Sequence, residues 1–216
     1  MNLPTDGALN WPLVTGCYRL SEGCNSCPSF WEYEEQGKDY TPRIHEEILE
    51  EPLSNPDPSL YEVAFGSDLF HGDVPLAFQQ RVFAVMNEAH WHQFSVGTKR
   101  VARLLLHSPQ FTWTDNIMVK VPVESGEYEW RIDKLRRIPA KTRIVSMAPL
   151  LGPVSKNLNL QGIDAVGVVP ETWGYKRPYD PEWGENVRRQ CLEQGVAFSM
   201  ESVIYEKEGQ RTYAII

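Results

Sequence analysis

Three of the chain's four cysteines, Cys17, Cys24 and Cys27, lie within residues 11–29, WPLVTGCYRLSEGCNSCPS, separated by six and then two residues. A C-x-x-C pair lets two thiolates converge on one centre from a single tight turn, and a third cysteine one short loop away completes a trigonal set. Three ligands leave one coordination position open, as a catalytic metal or cluster requires, whereas a structural zinc site closes its shell with four protein ligands. The residues alone leave several readings open. They are free buried cysteines, a disulfide with one thiol to spare, zinc completed by a histidine from elsewhere, and an iron–sulfur cluster with one iron that no cysteine holds. Cys191 stands alone in a helical stretch and reads as a buried apolar group.

Other groups capable of chemistry recur just after apolar runs. Ser67, Asp68 and His71 follow the run ending at Gly66; Thr98, Lys99 and Arg100 follow the run ending at Gly97. Glu124 and Ser125 follow residues 121–123, Ser146 closes the next run, and Glu171 with Trp173 follows residues 163–169. Each has a plainer use. Asp68 can cap the next helix, Thr98 can cap the helix that runs to Leu106, and Lys99 with Arg100 can be its solvated first turn. Glu124 and Arg131 can form a structural pair, and Glu171 can be a surface acid. His45 and His107 read as helix-surface residues, and His90 and His92 flank an aromatic turn. His71 is the histidine placed for a site, although a structural role is the preferred reading.

The elements that must position these groups alternate along the chain. Strands are expected at 61–66, 92–97, 116–121, 143–147, 163–169 and 196–200. Helices are expected at 75–89, 98–106, 127–137 and 181–194, with helix formers at 30–37 and 43–50. In the helix at 75–89, Pro75 suits a first turn, and Phe78, Val82, Phe83 and Val85 or Met86 share one face. In the helix at 127–137 the core contacts are Trp130, Ile132 and Leu135, and Gly195 ends the one at 181–194. Strands alternating with helices imply crossover units and a parallel sheet, whose chemistry collects at the carboxyl ends of its strands. The expected fold is therefore α/β, an incomplete parallel (β/α) barrel of about six units, since a full eight-unit barrel typically takes about 250 residues. The chain, 1–216, reads as one domain with 11–29 as its cluster-binding loop.

Composition narrows the function classes. Apolar residues at 42% and charged ones at 23% are ordinary for a globular protein, and a net charge of -8 argues against non-specific coating of nucleic acid. A local basic groove is still compatible with that charge. No run reaches membrane-span length and the amino end lacks a signal-peptide pattern, so the expectation is a cytoplasmic protein. In that reducing compartment clustered cysteines serve as metal ligands or redox groups more often than as structural bridges.

The order TGCYRLSEGCNSC, VAFGSDLFHGDVP, FSVGTKRVARL, VPVES, RIDKLRRIPAKTRIVSMAPLLGP and RQC before GVAF resembles the phage three-cysteine-motif proteins over residues 11–198. That family resembles a compact form of the radical S-adenosylmethionine enzymes. The resemblance implies a [4Fe-4S] cluster on Cys17, Cys24 and Cys27, with S-adenosylmethionine chelated at the open iron and cleaved to a 5′-deoxyadenosyl radical. The longer first gap departs from most radical S-adenosylmethionine enzymes but is the gap that family uses. Gly66, Ser67 and Asp68 would meet the methionine or ribose end, Lys99 and Arg100 a carboxylate or phosphate, and Glu124, Ser146 and Glu171 would complete the polar lining. Catalytic residues beyond these are not assigned.

Departures from the family pattern accompany the match. Pro28 and Ser29 stand where an aromatic and an alanine usually follow the third cysteine, which leaves Phe30 or Trp31 to pack against adenine. Ser146-Met147-Ala148 lacks the expected glutamate, Val169-Pro170-Glu171-Thr172 shortens a Gly-Gly-Glu-Ser stretch, and Met200-Glu201-Ser202 replaces a Lys- and Trp-containing strand. The implied function is a radical S-adenosylmethionine enzyme, an isomerase or another nucleotide-modifying activity, acting on a small-molecule or nucleotide substrate such as a modified thymidine in phage DNA. Nucleic acid and an electron donor such as a flavodoxin or ferredoxin are the implied partners, and the host-cell cytoplasm the implied location. The alternatives are a non-catalytic metal-binding structural or interaction protein of the same fold, and a zinc-dependent protein.

Overall fold

The computed structural model describes residues 7–200 and the backbone of two further strands, 203–207 and 210–214. In chain order the elements begin with β1 (Leu9–Trp11), β2 (Val14–Thr15), α1 (Pro28–Glu35), β3 (Arg43–Ile44), α2 (Glu51–Ser54) and β4 (Leu60–Val63). They continue with α3 (Leu76–Glu88), β5 (Gln93–Gly97), α4 (Val101–His107), β6 (Ile117–Pro122), α5 (Trp130–Leu135) and β7 (Thr142–Met147). The last are β8 (Ala165–Val168), α6 (Pro181–Gln194), β9 (Ala197–Met200), β10 (Val203–Lys207) and β11 (Gln210–Ala214).

Seven strands pair in the order β1-β4-β5-β6-β7-β8-β9, every neighbour parallel. Spatial order thus follows chain order. Right-handed crossovers that always step the same way lay their helices on one side of the sheet, which is the winding of a barrel rather than of a doubly wound sheet. The other described pairs are short antiparallel ribbons, β2 with β3 and β10 with β11.

The helix side is the core. Tyr61 and Val63, Phe94 and Val96, Val119 and Val121, and Val145 alternate inward from successive strands against Phe78, Val82, Phe83 and Met86 of α3. Phe83 stacks on Phe111 with centroids 4.1 Å apart, and Trp11 and Tyr61 both pack on Phe94. Full burial of such side chains contributes roughly 1.5–3 kcal/mol each before ordering entropy is counted. Helix α6 ends where its sequence indicates. Asp180 caps its start by accepting from the Glu182 N–H at 3.0 Å, and Gly195 takes φ 67° at its end.

Several local expectations need correction. Strand β4 stops at Val63 because Ala64, with φ 52°, turns the chain before Gly66. Residues 43–50 form a short strand and a turn of 3-10 helix at Glu46–Ile48 rather than one helix, because β3 is recruited to pair with β2. Thr98 does not cap α4, which starts at Val101; its hydroxyl donates to Asp68 and accepts from the Arg100 N–H. Trp130 is exposed while Ile132 and Leu135 are core, since α5 begins only at Trp130. His107 is buried and bonded to Gln79 at 2.8 Å. Strand β1 was invisible to pattern, being only three residues long.

Candidate cluster site at the strand ends

The cysteine loop lies across the carboxyl ends of β4, β5 and β6. A 3-10 turn, Glu22–Ser26, carries Cys24, and Cys27 sits immediately before α1. Two tight approaches fix the loop. Gly16 takes φ 79°, and a Cβ there would stand 2.3 Å from the Thr41 carbonyl oxygen; a Cβ on Gly23 would stand 2.5 Å from Glu124 Oε1. Glycine is required where backbone comes this close.

Each of two sulfurs faces a cation that is itself held by a carboxylate. Lys99 Nζ donates to Cys24 Sγ at 3.3 Å, to Ser21 Oγ at 2.8 Å and to Glu124 Oε1 at 2.5 Å. Glu124 is fully buried. It also accepts from Ser21 at 2.5 Å and from Arg131 Nη1 at 3.0 Å, and Arg131 in turn lies over the Tyr128 ring at 4.3 Å. Burial would push the Glu124 carboxyl up, but Lys99, Ser21 and Arg131 bring it below the usual carboxylate range. Burial likewise acts to raise the Cys24 thiol, yet the charge of Lys99 with hydrogen bonds from the Leu20 N–H and Ser21 takes it below its ordinary value.

The second sulfur repeats the plan with other residues. Arg100 Nη1 reaches Cys17 Sγ at 3.6 Å and Asp68 Oδ2 at 2.9 Å. Asp68, only 3% exposed, also accepts from Thr98 Oγ1, Phe70 N and Lys99 N, so all of its bonds are to fixed donors. Burial pushes the Cys17 thiol up, and Arg100 only partly offsets this. Cys27 is half-buried; its N–H donates to Cys24 O at 3.3 Å. Burial pushes the Tyr40 hydroxyl up.

The remaining expected residues divide. Gly66 and Ser67 hold the loop from beneath: the Tyr40 hydroxyl donates to Gly66 O, and the Ser67 hydroxyl to Gly16 O. Gly66 has φ 85°, and a Cβ there would stand 2.6 Å from Ser29 Oγ. Glu171 is buried and clasped by Arg177 through Nε at 2.9 Å, the backbone N–H at 2.8 Å and Nη2. Arg177 also donates to Glu22 O at 3.1 Å, and the Tyr175 N–H to Ser26 Oγ, so residues 171–177 close over the cysteine loop. Ser146 stands apart, on the sheet between Pro122 and Gly167. His71 is buried beneath Tyr18, ring centroids 4.8 Å apart, and accepts from the Asp73 N–H. Sequence reasoning missed Ser21, Tyr40 and Arg177. Neither a motif nor spacing marks them, because they reach the site only through loop closure.

All four cysteines are free. Among the described residues no group of three or more His, Cys, Asp or Glu side chains stands ready to hold one metal ion. A single tetrahedral zinc would need its sulfurs about 3.8 Å apart, from a Zn–S bond near 2.3 Å. A four-iron cluster places each thiolate on a different iron and so takes them more widely spread. Cys17, Cys24 and Cys27 are three unpaired thiols on one loop, with Arg100 and Lys99 facing two of them, a donor set that fits a cluster with one iron left to another ligand.

A family described as "Protein of unknown function (DUF5131)" has a model that matches residues 7–205. The chain belongs to that family. Comparison with the curated proteins finds no match. Among solved structures, this DUF5131 member is similar to a cysteine-to-serine mutant of spore photoproduct lyase, with a TM-score of 0.57, 13% identity, and coverage of 89% of this chain and 75% of that one. It is also similar to spore photoproduct lyase complexed with dinucleoside spore photoproduct, with a TM-score of 0.56 and the same identity and coverage. The DUF5131 chain thus shares the α/β fold of spore photoproduct lyase, here a partial barrel of parallel strands. No helix among its described residues is long and apolar enough to cross a membrane.

Proposed function

We propose that this protein is a radical S-adenosylmethionine enzyme of the phage three-cysteine kind, with Cys17, Cys24 and Cys27 holding a [4Fe-4S] cluster. One observation carries the reading: consecutive residues, Lys99 and Arg100, each fixed by a buried carboxylate, direct donors at two different cysteine sulfurs. A bound cluster with S-adenosylmethionine and an electron supplies a 5′-deoxyadenosyl radical able to remove hydrogen from a substrate.

The protein's own contribution is electrostatic and positional. Lys99 and Arg100 hold positive charge against the thiolates, Lys99 with its three donors engaged by Cys24, Ser21 and Glu124 and Arg100 with a planar fork suited to bind a carboxylate. Glu124 and Asp68 keep those cations in place and offset their charge. Gly16, Gly66, Ser67 and Tyr40 set the loop's height above the strands, and Glu171 with Arg177 draws residues 171–177 over it to limit water. A nucleotide-type substrate is supported by the dinucleoside bound in one similar structure. An electron donor of the flavodoxin or ferredoxin class belongs to this reading.

The test is anaerobic purification with assay of iron, acid-labile sulfide and visible absorption, followed by addition of S-adenosylmethionine and dithionite. The expected result is about four irons per chain, a broad brown absorption lost in Cys24→Ala, and release of 5′-deoxyadenosine. A colourless zinc-bearing protein would refute the reading. A brown protein that releases no 5′-deoxyadenosine would instead favour the binding protein without turnover.

A further inference from the structure

With every crossover helix on one side, the opposite face of the sheet has no helix to cover it among the described residues, and its composition differs from the core side. Glu62, Ser95, Gly97, Lys120, Ser146 and Gly167 occupy its positions, alternating with the buried Val63, Val96, Val121, Val145 and Val168. A closed barrel of ordinary stability fills its interior with bulky branched side chains. This face carries small ones at Ser95, Gly97, Ser146 and Gly167 beside the larger Met118 and Ile144, and all of the six named first except Ser95 are partly exposed.

Across that floor runs one ion pair. Lys120 Nζ on β6 reaches over β5 to Glu62 on β4 and contacts both carboxylate oxygens, at 2.9 and 3.1 Å, with side-chain exposures of 26% and 17%. The short side chains of Ser95 and Gly97 let the two long ones meet. Lys120 lies four residues before Glu124, and its carbonyl accepts from the Thr98 N–H, so the pair sits on the strands that lead up to the cysteine site.

We propose that the Glu62–Lys120 pair reads the lactam edge of a nucleobase, a ring N–H beside a carbonyl, presented to the open face of the sheet. The pair is neutral as a whole, so it is unsuited to phosphate, which Glu62 repels where Lys120 attracts. The ammonium retains a donor beyond the two bonds to Glu62, and the carboxylate retains lone pairs. Donor and acceptor side by side complement a carbonyl and an N–H side by side, as carboxylate and amide side chains complement base edges elsewhere. The flat floor beyond, at Ser146 and Gly167, leaves room for a ring. This inference rests on the proposed function, and it supplies that reading with the class of group it recognises.

The probes are uridine and 3-methyluridine, whose methyl group removes the N–H, titrated by calorimetry into anaerobically purified protein with iron assayed on the same samples. Uridine is expected to bind at least about tenfold more tightly than 3-methyluridine, the usual scale of a two-bond contact. Inorganic phosphate is expected not to displace it. Glu62→Gln and Lys120→Met should each abolish the preference with iron content unchanged, and the exchanged double variant Glu62→Lys with Lys120→Glu should restore it, because the uracil edge offers a carbonyl on either side of its N–H. The inference is overturned by equal binding of the two nucleosides, by no binding, by displacement with phosphate, or by single variants that keep the preference. Were a single variant to misfold, the exchanged pair would still decide. Absence of iron from every sample would refute the cluster reading while leaving the nucleoside preference to be judged on its own.

Discussion

Glu124→Gln isolates the charge at the centre of the site with almost no change of shape. The wild-type carboxylate is fully buried and meets three donors, Ser21, Lys99 and Arg131. An amide supplies one acceptor oxygen, so its NH2 must face either Arg131 or the Lys99–Ser21 side, donor against donor. Removing one partner of a buried ion pair costs about 3–5 kcal/mol, and the bonds the amide keeps place this variant near about 3. For a chain of this size about 1 kcal/mol moves Tm by about 2–4 °C, so calorimetry should record a fall of about 6–12 °C. Adding Arg131→Met removes the stranded buried guanidinium and should recover about 1–2 kcal/mol of the loss. The contribution is also pH-dependent. Because Glu124 titrates below its unfolded value of about 4.3, its stabilisation is complete above that pH and drains away as pH falls through the lower folded value. A Tm change under about 2 °C for Glu124→Gln at neutral pH, or no recovery in the double variant, would refute the account of this network.

Other outcomes follow from the same coordinates. Gly16→Ala forces a Cβ into the Thr41 carbonyl at a left-handed φ, and should cost at least about 2 kcal/mol and reduce iron retention, read by thermal melt and iron assay. Phe83→Ala removes a buried ring stacked on Phe111, and should cost about 3–5 kcal/mol in urea unfolding while folded protein keeps its iron. Lys141→Ala breaks an ion pair with Asp115 whose side chains are 64% and 79% exposed, and should change stability by less than about 0.5 kcal/mol in the same assay.

The legible parts of this chain were those set by local pattern. Helix α6 runs from Pro181 to a left-handed Gly195 as its caps indicate, and the face of α3 made by Phe78, Val82 and Phe83 is the buried one. The parallel partial barrel follows from the alternation of strands and helices. At the site, Lys99, Glu124 and Asp68 were picked out by position after strands; Lys99 and Glu124 meet the cysteine loop directly, and Asp68 reaches it through Arg100. What stayed hidden was long-range. Ser21 meets Glu124 across 103 positions and Tyr175 meets Ser26 across 149, contacts that only the closed sheet creates. Residues 43–50 misled because β3 exists only by pairing with β2, and no window of sequence contains both. Ser146 closes a strand as its position indicates, but it lies on the sheet between Pro122 and Gly167 rather than against the loop.

Lys99 and Arg100 are neighbours in the chain, yet they serve different sulfurs and lean on carboxylates from different strands. The bond angle geometry of one peptide unit therefore ties the surroundings of Cys17 to those of Cys24. A shift at the tip of β5 moves both cations in concert, so the two thiols cannot be retuned independently by anything that acts through that strand. Variation that adjusts one without the other must come from Asp68 or Glu124, the two anchors that the pair does not share as charge partners.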